Sequence, residues 1–161
     1  MASLIDISYF FNELKIAQKS QGEVSSLLNS YIGTYEPEYL GKILGNDFYE
    51  LFKTGISNSE QRFVTLKDML LVKPSPIAAY VFFYYQRDNA IISTGAGDAT
   101  TKTENAIRVP ERSRQVRAWN IMAKGSSKMI RYLIDNKEAY PEFDIEKSCR
   151  DIRCKLNVFG I

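Results

Sequence analysis

The stretch PERSRQVRAWNIMAKGSSKMIRYLIDN, residues 110–136, decides the fold. With Arg117 set at zero and 100° per residue, Trp119, Met122, Ser126, Met129, Ile130 and Leu133 gather between about 120° and 220°. Arg114, Lys124, Lys128 and Arg131 gather between about −40° and 60°. An apolar face set against a basic one is the pattern of a long amphipathic helix packed on a neighbour. Pro110 suits its first turn, where a missing N–H costs no hydrogen bond. The spacing predicts a helix from Pro110 to about Asn136.

Helical spacing continues upstream. IAAYVFFYYQRDNA, residues 77–90, is apolar nearly all round, and Ser75 and Pro76 stand before it as a cap and first-turn pair. It reads as a central or interface helix. Asn58 to Val72 reads as another, with Phe63, Leu66, Met69 and Leu70 inward. Asn46 is placed to cap a unit carrying Phe48, Leu51 and Phe52 that stops at Gly55. Before it, Glu36 to Leu44 opens on Pro37 and ends at Gly45, and Glu23 to Ile32 closes at Gly33. Asp6 or Ser8 is expected to cap a first helix towards Gln18, with Phe10, Phe11, Leu14 and Ile16 apolar.

Between the two long helices the texture changes. STGAGDATTKTENA, residues 93–106, offers almost nothing to bury. Residues 92–109 are therefore expected as a long exposed loop or loose β-hairpin, either plainly disordered or ordering on a partner. Thr94, Gly95, Gly97, Thr101 and Lys102 are its candidate contacts. From Tyr140 the chain is mixed, with room for a short helix. Residues 140–161 read as a C-terminal arm whose Leu156, Val158, Phe159 and Ile161 either fray or anchor on a neighbour. The expected architecture is one all-α domain over residues 1–161, a helical bundle with this loop and arm.

Charge is unevenly shared. Arg108, Arg112, Arg114, Arg117, Lys124, Lys128 and Arg131 face a single acid, Glu111, within their span, so the remainder of a chain of net charge +2 is acidic. Arg112, Arg114, Arg117, Lys124, Lys128 and Arg131 thus form a candidate interface. The face admits three uses: a solvated surface, a dock for an acidic patch, or a contact to nucleic-acid phosphates. The third would make the chain a small DNA-binding regulator, although no helix-turn-helix spacing leads into the basic helix.

The chain contains no histidine, which excludes Ser-His-Asp and Cys-His nucleophile arrangements. Gly95 and Gly97 lack the third glycine and the preceding strand of a dinucleotide site. Glu36 with Glu38, and Asp47 with Glu50, are paired acids, but each pair sits beside a helix start, where acids suit the helix dipole. Cys149 and Cys154 have no metal-ligand spacing and read as free thiols of a reducing compartment. No catalytic residue, cofactor or metal is expected. The longest strongly apolar run, Ile77 to Tyr85, is far short of the roughly 20 residues that span a bilayer, and MASLIDISYF has no basic, long-apolar leader pattern. A soluble intracellular protein that does not engage membranes is the expectation.

Three stretches carry a family resemblance: YIGTYEPEYLGKILGNDFYELF at 31–52, the helix–loop–helix from Ile77 through STGAGDATTKTENA to RSRQVRAWN, and the ending LNVFGI. Together they resemble the small head-to-tail connector (adaptor, or ring) proteins of tailed bacteriophages, including crAss-like phages. The resemblance implies a virion neck component assembled in the host cytoplasm, and a closed ring of about twelve copies below the portal. It implies an extended DNA channel, non-specific contact with the genome there, and a platform for the next tail component. It brings no catalytic residues. The 92–109 segment matches the insertion between the family's two long helices, and Phe159, Gly160 and Ile161 match a docking tail.

Overall fold

At Gly45 the backbone takes a φ of +75°, a value open to glycine at little cost. There the helix α1 (Gly22–Leu44) hands over to α2 (Asn46–Ser57). The computed structural model describes residues 3–89, 91–94, 97–100 and 111–157. Within them, α3 (Gln61–Leu71), α4 (Pro76–Asn89) and α5 (Glu111–Asp135) follow in order, with β1 (Ile91–Thr94) and β2 (Gly97–Thr100) between the last two. The protein is mainly helical.

The helix α4 is the centre. Every residue from Pro76 to Phe82 is buried, and α4 packs on both α5 and α1. Ser75 fixes its start: its hydroxyl donates to the Leu70 carbonyl at 2.8 Å and accepts from the Ala78 N–H at 3.4 Å. The cap and first-turn proline read from the sequence are both in place. Against this helix, α5 buries Ala118, Met122, Ala123, Ser126, Met129, Ile130 and Leu133, while Trp119 is half-buried. The apolar face expected for the long helix is therefore its packed face. A Cβ on Gly125 would lie 2.7 Å from the Pro76 Cβ, so glycine lets α5 reach the start of α4.

Two expectations are corrected. The units expected at 23–32 and 36–44 are one helix, α1, with Gly33 and Pro37 inside it. Each breaker is weak against what anchors the helix on either side: Leu28 and Ile32 before, Tyr39, Leu40 and Ile43 after, all buried. Packing of that size outweighs a glycine's intrinsic cost of about 1 kcal/mol and rivals a proline's of about 3 kcal/mol. The first helix, expected from Asp6 or Ser8 to Gln18, is instead two 3-10 turns, Ile7–Tyr9 and Asn12–Leu14. Asn12 and Gln18 have positive φ, 49° and 54°, which no α-helix accommodates. Asp6 still caps, accepting from the Ser8 N–H at 2.7 Å. Smaller features move as well: α3 starts at Gln61 rather than Asn58, α2 runs past Gly55 to Ser57, and it is preceded by Gly45 with no side-chain cap from Asn46.

The β1 and β2 strands pair antiparallel, Ile91 opposite Thr100 and Thr94 opposite Gly97. The rest of the segment expected as an exposed loop, including Gly95, Thr101 and Lys102, lies outside the described residues. After α5 the chain forms two further 3-10 turns, Ile145–Lys147 and Asp151–Arg153, and runs back along α5.

Candidate interaction surfaces

The α5 helix separates its charges as the periodicity requires. Arg112, Arg117, Lys124, Lys128 and Arg131 are exposed. Arg117, Lys124, Lys128 and Arg131 take part in no ion pair among the described residues, whereas Lys42, Lys53, Arg62, Arg87 and Lys147 each do. Arg114 departs from this face. It is half-buried, its Nη2 donates to the Lys15 carbonyl at 2.6 Å, and its guanidinium lies 5.2 Å from the Phe82 ring centre. It ties the N-terminal segment to α5 and α4, a structural role that its place at the stripe's edge concealed.

The stripe is not purely basic. Ile121, only half-buried, falls within it and lines two grooves. One of about 480 Å³ is shared with Val116, Arg117, Lys124 and Lys155. The other, of about 340 Å³, is shared with Met69, Val72, Met129, Lys124 and Lys128, with Glu13 as its one acid. Val72 is 60% exposed. Cations around an apolar floor mark a surface fitted to protein rather than to a phosphate backbone alone. Asking which apolar residues share angles with the cations would have found Ile121 in the sequence; Val72, just past the end of α3, had no such signal.

The C-terminal arm is tied to the other flank of α5. Trp119 Nε1 donates to the Cys154 carbonyl at 2.8 Å. Asn120 Nδ2 donates to the Leu156 carbonyl at 2.9 Å, and its Oδ1 accepts from the Leu156 N–H at 2.8 Å. Leu156 is half-buried; Val158, Phe159 and Ile161 lie outside the described residues. Thr94 and Gly97 are brought together as the pair nearest the turn of the β1–β2 ribbon.

The paired acids have structural partners. Glu36 is buried, and its carboxylate accepts the N–H groups of Leu4 at 2.7 Å and Ile5 at 3.2 Å. Burial pushes this carboxyl above its ordinary value, against the pull of the two N–H donors. Glu38 accepts from Lys42 Nζ at 2.6 Å and from the Tyr80 hydroxyl at 2.9 Å. Asp47 pairs with Lys147 at 2.6 Å and Glu50 with Lys53 at 2.6 Å. Each acid thus has a partner within the chain, buried for Glu36 and at the surface for Asp47 and Glu50.

A tyrosine face lies where α1 meets α4. Tyr35 stacks on Tyr84 at 4.3 Å, Arg87 lies 4.4 Å from the Tyr84 ring centre, and Tyr31 donates to Asp88 at 3.2 Å. Burial beside Asp88 pushes the Tyr31 hydroxyl up to about 12, so it stays a protonated donor at neutral pH. Among the described residues no group of three or more acids and cysteines is placed to hold a metal ion, and no helix is long and apolar enough to cross a membrane. No family model, curated protein or solved structure matches this chain.

Proposed function

We propose that this chain is a structural connector of a tailed-phage neck. Copies of it assemble as a ring below the portal, extend the DNA channel and offer a platform to the next tail component. The observation that carries the reading is the α5 surface: Arg117, Lys124, Lys128 and Arg131, without ion pairs of their own among the described residues, around the half-buried Ile121 and the exposed Val72. A monomer gains nothing from holding such a surface in water, and an assembling subunit gains an interface. The resemblance of residues 31–52, of the helix–loop–helix and of the LNVFGI ending to phage connectors supports the same reading. The experiment is co-sedimentation of the purified chain with portal-bearing capsids. Saturable binding to the portal vertex is expected; no binding, together with a monomeric chain at every concentration, overturns it.

A second reading, a small DNA-binding regulator, draws on the same exposed cations. It predicts duplex affinity that falls steeply with salt and weakens when Arg117, Lys124 and Lys128 are neutralised. The apolar floor favours the first reading, since phosphate contacts need none.

A further inference from the structure

Two buried polar groups of the C-terminal arm lack partners. The Ser148 hydroxyl, on a residue 5% exposed, and the Arg153 Nε–H have no hydrogen-bond partner among the described residues. Buried polar groups are otherwise almost always bonded. Both residues line one cleft of about 440 Å³ formed by the arm's two 3-10 turns, together with Ile145, Glu146, Arg150 and Cys154. The acceptors around it are already taken. The Cys154 carbonyl receives Trp119 Nε1 at 2.8 Å, the Arg150 carbonyl receives the Arg153 N–H at 3.0 Å, and the Asp144 carboxylate receives the Glu146 N–H at 2.9 Å. What remains is a guanidinium, which only donates, and a hydroxyl free to donate. A ligand that completes this cleft must bring acceptors.

Charge narrows the ligand. Arg150 is exposed and Arg153 half-buried, and neither makes an ion pair among the described residues, whereas the adjacent Lys147 is held by Asp47 at 2.6 Å. Glu146 is the one acid in the lining; Asp144 and Asp151 are exposed and do not line it. Two guanidinium groups against one carboxylate suit a monoanion, and Glu146 works against a dianionic phosphate. The Nε–H of an arginine and the N–H beside it form a fork matched to the two oxygens of a carboxylate. We infer that this cleft is a carboxylate-binding site. Arg153 grips both oxygens, Ser148 adds a hydrogen bond and Arg150 adds charge. Ile145, 38% exposed, gives the rest of the ligand an apolar wall, in a cleft roomier than a carboxylate alone needs. The carboxylate belongs to a small organic acid or to an acidic side chain of another protein. The inference stands apart from the assembly reading above.

The side-chain Nε–H signal of Arg153 in nitrogen–proton correlation spectra of the full chain tests it, at neutral pH and constant ionic strength set with chloride. The probes are benzoate, N-acetylglutamate methylamide (a capped glutamate side chain) and inorganic phosphate. A carboxylate should shift the signal saturably, with a Kd of about millimolar. Backbone amide signals of residues 145–154 follow the same titration in the variants, and circular dichroism verifies that each folds. Arg153→Lys keeps the charge and loses the fork, and should weaken binding at least tenfold. Ser148→Ala should weaken it severalfold, while Arg131→Gln, on the exposed face of α5, should leave it unchanged. Tighter benzoate assigns the site to a small acid, and tighter capped glutamate assigns it to a protein side chain. An Arg153 signal that no carboxylate shifts saturably overturns the inference without any variant. So does phosphate binding as tightly as either carboxylate, a folded Arg153→Lys that binds like the wild type, or an Arg131→Gln as weak as Arg153→Lys.

Discussion

The side-chain amide of Asn120 closes a two-way hydrogen bond with the main chain of Leu156, accepting at 2.8 Å and donating at 2.9 Å. One residue of α5 thereby does for the arm what an adjacent strand does in a sheet: it satisfies both backbone groups of a single residue. With Trp119 holding the Cys154 carbonyl, it sets where the chain lies before its last residues.

Asn120→Ala removes both bonds and should cost about 1–3 kcal/mol, because the two Leu156 backbone groups lose their partners together. Amide exchange at Leu156 should accelerate strongly, while amides in the buried part of α4 accelerate no more than the loss of global stability requires. Hydrogen-exchange mass spectrometry of the C-terminal peptide measures it.

Tyr39 on α1 and Ser126 on α5 share a fully buried hydroxyl pair at 2.8 Å. Tyr39→Phe strands the serine hydroxyl and should destabilise by about 1–3 kcal/mol. Adding Ser126→Ala removes the stranded group, so the double variant should be less destabilised than the two single losses added together. Urea midpoints of the four proteins give the coupling.

Glu36 gives a pH dependence of unusual sign for a carboxylate. Its folded value is raised by burial, so its favourable contribution is fully present below the unfolded glutamate value of about 4.3. That contribution is lost as pH rises through the folded value. Glu142 works oppositely: its hydrogen bonds to Arg62 hold its carboxyl below the ordinary range. Its contribution is present above the unfolded value and lost as pH falls through the folded one; as a half-exposed pair it is worth at most about 1 kcal/mol. The stability difference between the wild type and Glu36→Gln should therefore shift against the wild type from pH 4 to pH 7, about the interval above the unfolded glutamate value. Denaturant titrations at several pH values follow it; a difference that stays flat contradicts the burial argument.

Gly125→Ala places a methyl group against Pro76, 2.7 Å from its Cβ. Separating α5 from the start of α4 should cost about 1–3 kcal/mol, the usual penalty of overpacking. Gly33→Ala meets nothing within 4 Å and lies inside α1, so it should stabilise by about 0.5–1 kcal/mol. Thermal melts of the two variants should move in opposite directions.

The long helix was legible because its pattern is long and its two faces are chemically opposite. α4 was legible from Ser75 and Pro76 together with an unbroken apolar run. The N-terminal segment was half legible: Phe10, Leu14 and Ile16 are buried as expected. The four-residue step from Phe10 to Leu14 suits a helix, but the two-residue step to Ile16 suits extended backbone, and the positive φ at Asn12 and Gln18 decides for the latter. The continuity of α1 through Gly33 and Pro37 depends on packing from α4 and the N-terminus, which local propensity does not contain. Of the candidate surface, the basic stripe followed from periodicity. The inward turn of Arg114, the arm's anchor at Asn120 and the contribution of Val72 each need a residue distant in sequence.

The central claim is that these residues spend their free energy on joining copies of the chain. Mass photometry of the purified protein, checked by negative-stain electron microscopy of the same sample, tests it most directly. A discrete high-mass species that appears as closed rings is the expected result. A single monomer peak at all concentrations, with no particle larger than one chain, contradicts the account.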